Sequence, residues 1–102
     1  MTKKSEVRVG LVQMTCGTDP QKNLDRSIVK IREAAADGAQ VVCLQEVFNT
    51  QYPCQAEEHS RFELAESIPG PTTQALQKLA KECQVVIVVP LFEKRAPGLY
   101  HN

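Results

Sequence analysis

The 102-residue chain predicts an α/β fold built on a parallel sheet, and three observations carry that reading. Three apolar runs, "VRVGLVQM", "AQVVCLQ" and "VVIVVPL", have the length and β-branched content of strands. Between consecutive runs lie segments with apolar residues at helical spacing, long enough to cross over between parallel strands. The third run carries almost no polar interruption, and continuous apolar runs such as "VVIVV" predict strands covered on both faces.

The elements follow in order. Residues 1–6, with the Lys3-Lys4 pair, read as a solvated tail, and residues 7–102 as an incomplete portion of one domain. Val7 to Met14 is the first strand, and "CGTDP" breaks it. Asp19 is a good N-cap and Pro20 suits the first helical position. Leu24, Ile28, Ile31 and Ala35 then share one helical face, and Gly38 is the stop. Ala39 to Gln45 is the second strand. The connection from Val47 to about Gly70 is far longer than the few residues usual between such elements. It holds Phe48, Tyr52 and Phe62, which favours an ordered loop. Gly70 and Pro71 set the turn into a second helix, which places Leu76, Leu79, Ala80 and Cys83 on one face. Val85 to Leu91 is the third strand. Leu99 and Tyr100 read as the opening of another strand, and "YHN" at 100–102 as a strand start of structural role. Three strands covered on both faces need more than two helices, so the expectation is the front part of something larger.

Composition narrows the function. With 12 basic and 12 acidic side chains the formal net charge is zero, so no overall field draws the chain to nucleic acid or an anionic membrane. No apolar run approaches the roughly 20 residues of a membrane span. The N-terminus lacks the apolar core of a secretory signal, so a cytoplasmic protein is expected. Cys16, Cys43, Cys54 and Cys83 form no C-x-x-C pair and no zinc spacing with histidine. They read as free thiols with no metal, and Cys43 and Cys83 as core residues.

One residue breaks the apolar pattern. In "VVCLQEVFNTQYP" (41–53) Glu46 ends the second strand and is followed at once by Val47 and Phe48. Ligands gather at the carboxyl ends of parallel strands, and the long loop leaves from this one. A partly buried Glu there can act as a general base, since desolvation disfavours its charged form. The bland alternative is a helix cap or a salt bridge to Lys, and spacing does not choose between them. Tyr52 is a candidate wall of a substrate pocket or, equally, a loop anchor. Glu57 and Glu58 can attract a cationic substrate, although adjacent acidic pairs are usually solvated.

Taken together, "VRVGLVQM", "KNLDRSIVKIREAAADGAQVVCLQEVF" and "SIPGPTTQALQKLAKECQVVIVVPLFEKR" resemble the N-terminal part of the nitrilase, or carbon–nitrogen hydrolase, superfamily. Within it, "NTQYPCQAEEHSRFELAESIPGPTT" and "LFEKRAPGLYHN" are most similar to N-carbamoylputrescine amidohydrolases. The resemblance implies a four-layer α-β-β-α sandwich, association into homo-oligomers, a small ureido or amide substrate, and no metal or organic cofactor. It also implies a Glu–Lys–Cys triad in which Glu46 is the base, in a pocket kept dry by its apolar neighbours. The nucleophile belongs in a G-x-x-C-x-D motif preceded by a Lys, and neither motif occurs in these residues. None of the four cysteines fits, and Cys54 in "YPCQ" matches a pocket-lining position instead. The chain alone is therefore expected to be inactive. β-Ureidopropionase, ω-amidase and an inactive short form acting as an interaction module are the alternatives.

Overall fold

The computed structural model describes residues 5–51 and 59–102. Strands β1 (Val9–Leu11), β2 (Val41–Cys43) and β3 (Val86–Val88) form a sheet in that order, all parallel. Val9 stands beside Val41, and Val41 beside Val86. The strands are shorter than the apolar runs, but backbone bonding continues past their ends. Gln40 N–H donates to Arg8 O at 2.8 Å, Val12 N–H to Cys43 O at 2.9 Å, and Leu44 N–H to Val88 O at 3.1 Å.

Helix α1 (Pro20–Ala36) begins where the sequence predicts, with the Asp19 carboxylate accepting from Gln21 N–H at 3.0 Å and Lys22 N–H at 3.4 Å. Gly38 closes it with a φ of +93°, a conformation open to glycine and costly to other residues. Helix α2 (Pro71–Cys83) starts at Gly70, whose N–H donates to Thr73 Oγ1 at 2.6 Å. A Cβ at Gly70 would run into the Ser67 carbonyl oxygen, so glycine is required there. Ile31, Val42, Leu44, Phe48, Leu76, Leu79 and Leu91 form the core between helices and sheet. At Gly10 the missing side chain lets α1 approach β1, since a Cβ would stand 3.0 Å from Ala34 Cβ and 3.2 Å from Ala39 Cβ. No helix among the described residues is long and apolar enough to cross a membrane.

Two expectations need correction. The strands are covered on one face only: Val9, Leu11, Val86 and Val88 remain 46–80% exposed on the other. Both crossovers step the same way across the sheet, and right-handed connections of that kind place both helices on the same side. There α1 and α2 meet, and Arg32 pairs with Glu82 at 2.9 Å. Cys43 lies in the pattern of the open face and is half-buried rather than core, while Cys83 is partly buried against the core.

The second correction is a strand hairpin after β3. β4 (Glu93–Ala96) and β5 (Leu99–His101) pair antiparallel, with Glu93 opposite His101. Leu99 and Tyr100 do open a strand as expected, but its partner "EKRA" carries too much charge to read as one. A 3-10 helix at His59–Leu64 leads to Glu66, which bridges to β4 through Glu66 N–H to Phe92 O at 3.1 Å and Lys94 N–H to Glu66 O at 2.8 Å. The rings of Phe62, Phe92 and Tyr100 cluster beside this bridge, the closest pair being Phe62 and Tyr100 at 4.6 Å between centroids.

Candidate active site

Glu46 stands just past the carboxyl end of β2 and is exposed, where partial burial was expected. Its apolar neighbours do not surround it. Val47 and Phe48 are 2% and 1% exposed and turn into the core beneath. The turn is made at Val47, whose φ of +46° is a left-handed conformation that a β-branched residue rarely adopts. Such a conformation costs on the order of 1–3 kcal/mol and persists where the surroundings over-determine it.

Those surroundings include a set of polar contacts. Gln45 Oε1 accepts from Met14 N–H at 2.7 Å, and its Nε2 donates to Cys16 Sγ at 3.3 Å. The Cys16 thiol donates in turn to Phe48 O at 2.8 Å. Asn23, buried on α1, accepts from Gly17 N–H at 2.9 Å and donates to Gly17 O and Asn49 O, each at 3.0 Å. Asn49 reaches Thr72 Oγ1 at 3.5 Å, and Thr72 donates to Glu66 Oε2 at 3.0 Å. The segments after β1 and β2 and the start of α2 are thus tied together under Glu46.

Above this base, Glu46 Oε1 accepts from Asn102 Nδ2 at 2.6 Å. The pair joins two open clefts. One, of about 490 Å³, is lined by Leu11, Met14, Cys43, Gln45 and Glu46. The other, of about 520 Å³, is lined by Ile68, Val89, Leu91, Glu93, His101 and Asn102. In the second cleft the Glu93 carboxylate is largely buried and lies 3.6 Å from Arg95 Nε and 3.7 Å from His101 Nδ1.

Cys16 lacks the character of an activated nucleophile. Burial pushes the Cys16 thiol above its ordinary value, with Arg26 opposing the shift, and an activated nucleophile needs the reverse. Tyr52, Cys54, Glu57 and Glu58 lie outside the described residues. Among the described residues no three His, Cys, Asp or Glu side chains converge as a metal site would require.

Residues 8–102 match the family model for carbon-nitrogen hydrolases. The chain belongs to the carbon–nitrogen hydrolase family. It is 41% identical over 99 residues to an N-carbamoylputrescine amidase of Oryza sativa subsp. japonica, an alignment covering 96% of this chain and 33% of the relative. It is 35% identical over 95 residues to the omega-amidase NIT2 of Bos taurus, covering 93% and 33% respectively. Among solved structures, a carbon-nitrogen hydrolase from Helicobacter pylori G27 superposes with a TM-score of 0.83 at 31% identity, over 94% of this chain and 33% of that one. Saccharomyces cerevisiae Nit3, a nitrilase-superfamily member, gives 0.71 at 25% identity, over 90% and 35%. The chain therefore spans about a third of the length of the relatives it matches.

Within this family member the structure brings Glu46 together with Asn102, a contact that sequence reasoning missed. The two are 56 positions apart, and only the unrecognised β4–β5 hairpin brings them together. Asn23 and Gln45 were also missed. The available signal for Asn23 was an amide at helical spacing from Ser27 on the face that buries Leu24 and Ile31.

Proposed function

We propose that this chain is the N-terminal third of an amidohydrolase that cleaves a ureido carbon–nitrogen bond, with N-carbamoylputrescine as substrate and Glu46 as the general base. The observation that carries the reading is the placement of Glu46 at the carboxyl end of β2, presented by a strained turn on the wall of one cleft, with its partner Asn102 on the wall of the other. The similarity to N-carbamoylputrescine amidases over nearly the whole chain supports the substrate class. In this reading Glu46 takes the proton of a cysteine thiol supplied by the rest of the protein, and the thiolate attacks the ureido carbonyl carbon. A lysine and backbone donors stabilise the oxyanion. Glu46 then gives its proton to the departing nitrogen, and a water that it activates hydrolyses the thioester. The products are putrescine, carbon dioxide and ammonia.

The test is ammonia release by the full-length protein from N-carbamoylputrescine, with N-carbamoyl-β-alanine as the control. Glu46→Gln keeps the shape but cannot accept a proton, so turnover should vanish while the far-UV circular dichroism spectrum is unchanged. Near-normal turnover in that variant would sink the assignment of Glu46. Preference for a terminal amide over both ureido compounds would favour the omega-amidase reading that the 35%-identical relatives support.

A further inference from the structure

We propose that Asn102 is a positioning residue for Glu46, fixing the orientation of its carboxylate; this rests on the reading of Glu46 as the general base. The contact is short, at 2.6 Å from Nδ2 to Oε1, in the direction in which a charged acceptor shortens such bonds. Both side chains are exposed, but the backbone on each side is held in place. Tyr100, two residues earlier in β5, packs its ring against Phe62 at 4.6 Å and Phe92 at 5.6 Å. The hairpin is also stitched to Glu66 by the two backbone bonds of the parallel bridge. On the other side, the Val47 turn fixes the Glu46 backbone.

The pairing also divides labour between the two carboxylate oxygens. Oε1 is committed to the amide, while Oε2 has no partner among the described residues and is the oxygen that exchanges the proton. An amide suits this role better than a cation. Lys or Arg would hold the carboxylate ionised and weaken it as a base, whereas Asn donates in both protonation states because it does not itself titrate.

The test uses the full-length protein with Asn102→Ala and with the isosteric Asn102→Asp, following kcat/KM for N-carbamoylputrescine against pH. Both variants should keep the wild-type circular dichroism spectrum and lose about 10- to 100-fold in kcat with little change in KM. The acidic limb of the profile should move to higher pH, further for Asp, because a second carboxylate opposes ionisation of the first. A structural role alone would leave that limb in place. The same displacement should be seen without turnover, by carbon-13 titration of labelled glutamate carboxylates, with the Glu46 signal identified by its loss in Glu46→Gln. Coincident titration curves in wild type, Asn102→Ala and Asn102→Asp would overturn the role of Asn102. An active Glu46→Gln would overturn the base itself, so the two failures are separable.

Discussion

Replacing Asn23 by Ala removes three hydrogen bonds from a side chain that is only 1% exposed, without touching Glu46. At about 1 kcal/mol for each neutral bond, the loss is roughly 3 kcal/mol, more if the carbonyl of buried Asn49 finds no water. Asn23→Asp is the sharper perturbation. It keeps an acceptor for Gly17 N–H but sets a carboxylate oxygen where Nδ2 stood, 3.0 Å from two carbonyl oxygens. Repulsion and burial both favour the protonated acid, so the folded state holds that proton to higher pH than the unfolded chain does. A group of this kind contributes its stability at low pH and loses it as pH rises. Urea unfolding of the full-length protein, followed by circular dichroism at pH 5 and pH 8, should therefore show an Asp deficit that exceeds the Ala deficit at pH 8 and narrows at pH 5. An Ala variant within about 0.5 kcal/mol of wild type, or an Asp deficit independent of pH, would refute this account of Asn23.

Two further outcomes follow from packing and from burial. Gly10→Val must displace Ala34 or Ala39, whose Cβ atoms already stand 3.0 and 3.2 Å from the new Cβ, so urea unfolding should show a loss of about 1–3 kcal/mol. The Cys16 thiol, raised from 9.0 by burial, should react with iodoacetamide at pH 8 more slowly than a solvated cysteine peptide, as mass spectrometry of the tryptic peptide can show. Because its proton is held more tightly in the folded state, its contribution to stability is present below pH 9 and declines above it.

Much of the scaffold was legible because local chemistry and tertiary packing agree along α1 and α2. Asp19, Pro20 and Gly38 bound α1 as written, and Leu24 and Ile31 form its buried stripe. The apolar strand runs were legible as strands, but not the face on which each residue lies. Continuous hydrophobicity states that a strand suits burial on both faces, and this chain covers one of them. The hairpin was hidden for the opposite reason. "EKRA" is charged, and its strand conformation comes from long-range bonds to Glu66 and β5 that no local window contains. Glu46 could be singled out by type and by strand position, whereas its partner Asn102 depended on that same hairpin.

The apolar residues flanking Glu46 suggested a carboxylate sealed in a dry pocket, and the geometry assigns them another task. Val47 and Phe48 are almost fully buried, and burial of two such side chains stabilises by roughly 3–6 kcal/mol. The left-handed backbone at Val47 costs on the order of 1–3 kcal/mol, so burial is large enough to sustain it. If the chain simply ran on as a strand, successive side chains would alternate faces, and only one of these two neighbours could reach the core. Reversing the backbone at Val47 sends both downward and leaves Glu46 facing outward toward Asn102. The "EVF" triplet is therefore best read as a lever: two buried residues hold a strained turn that presents the carboxylate just before them.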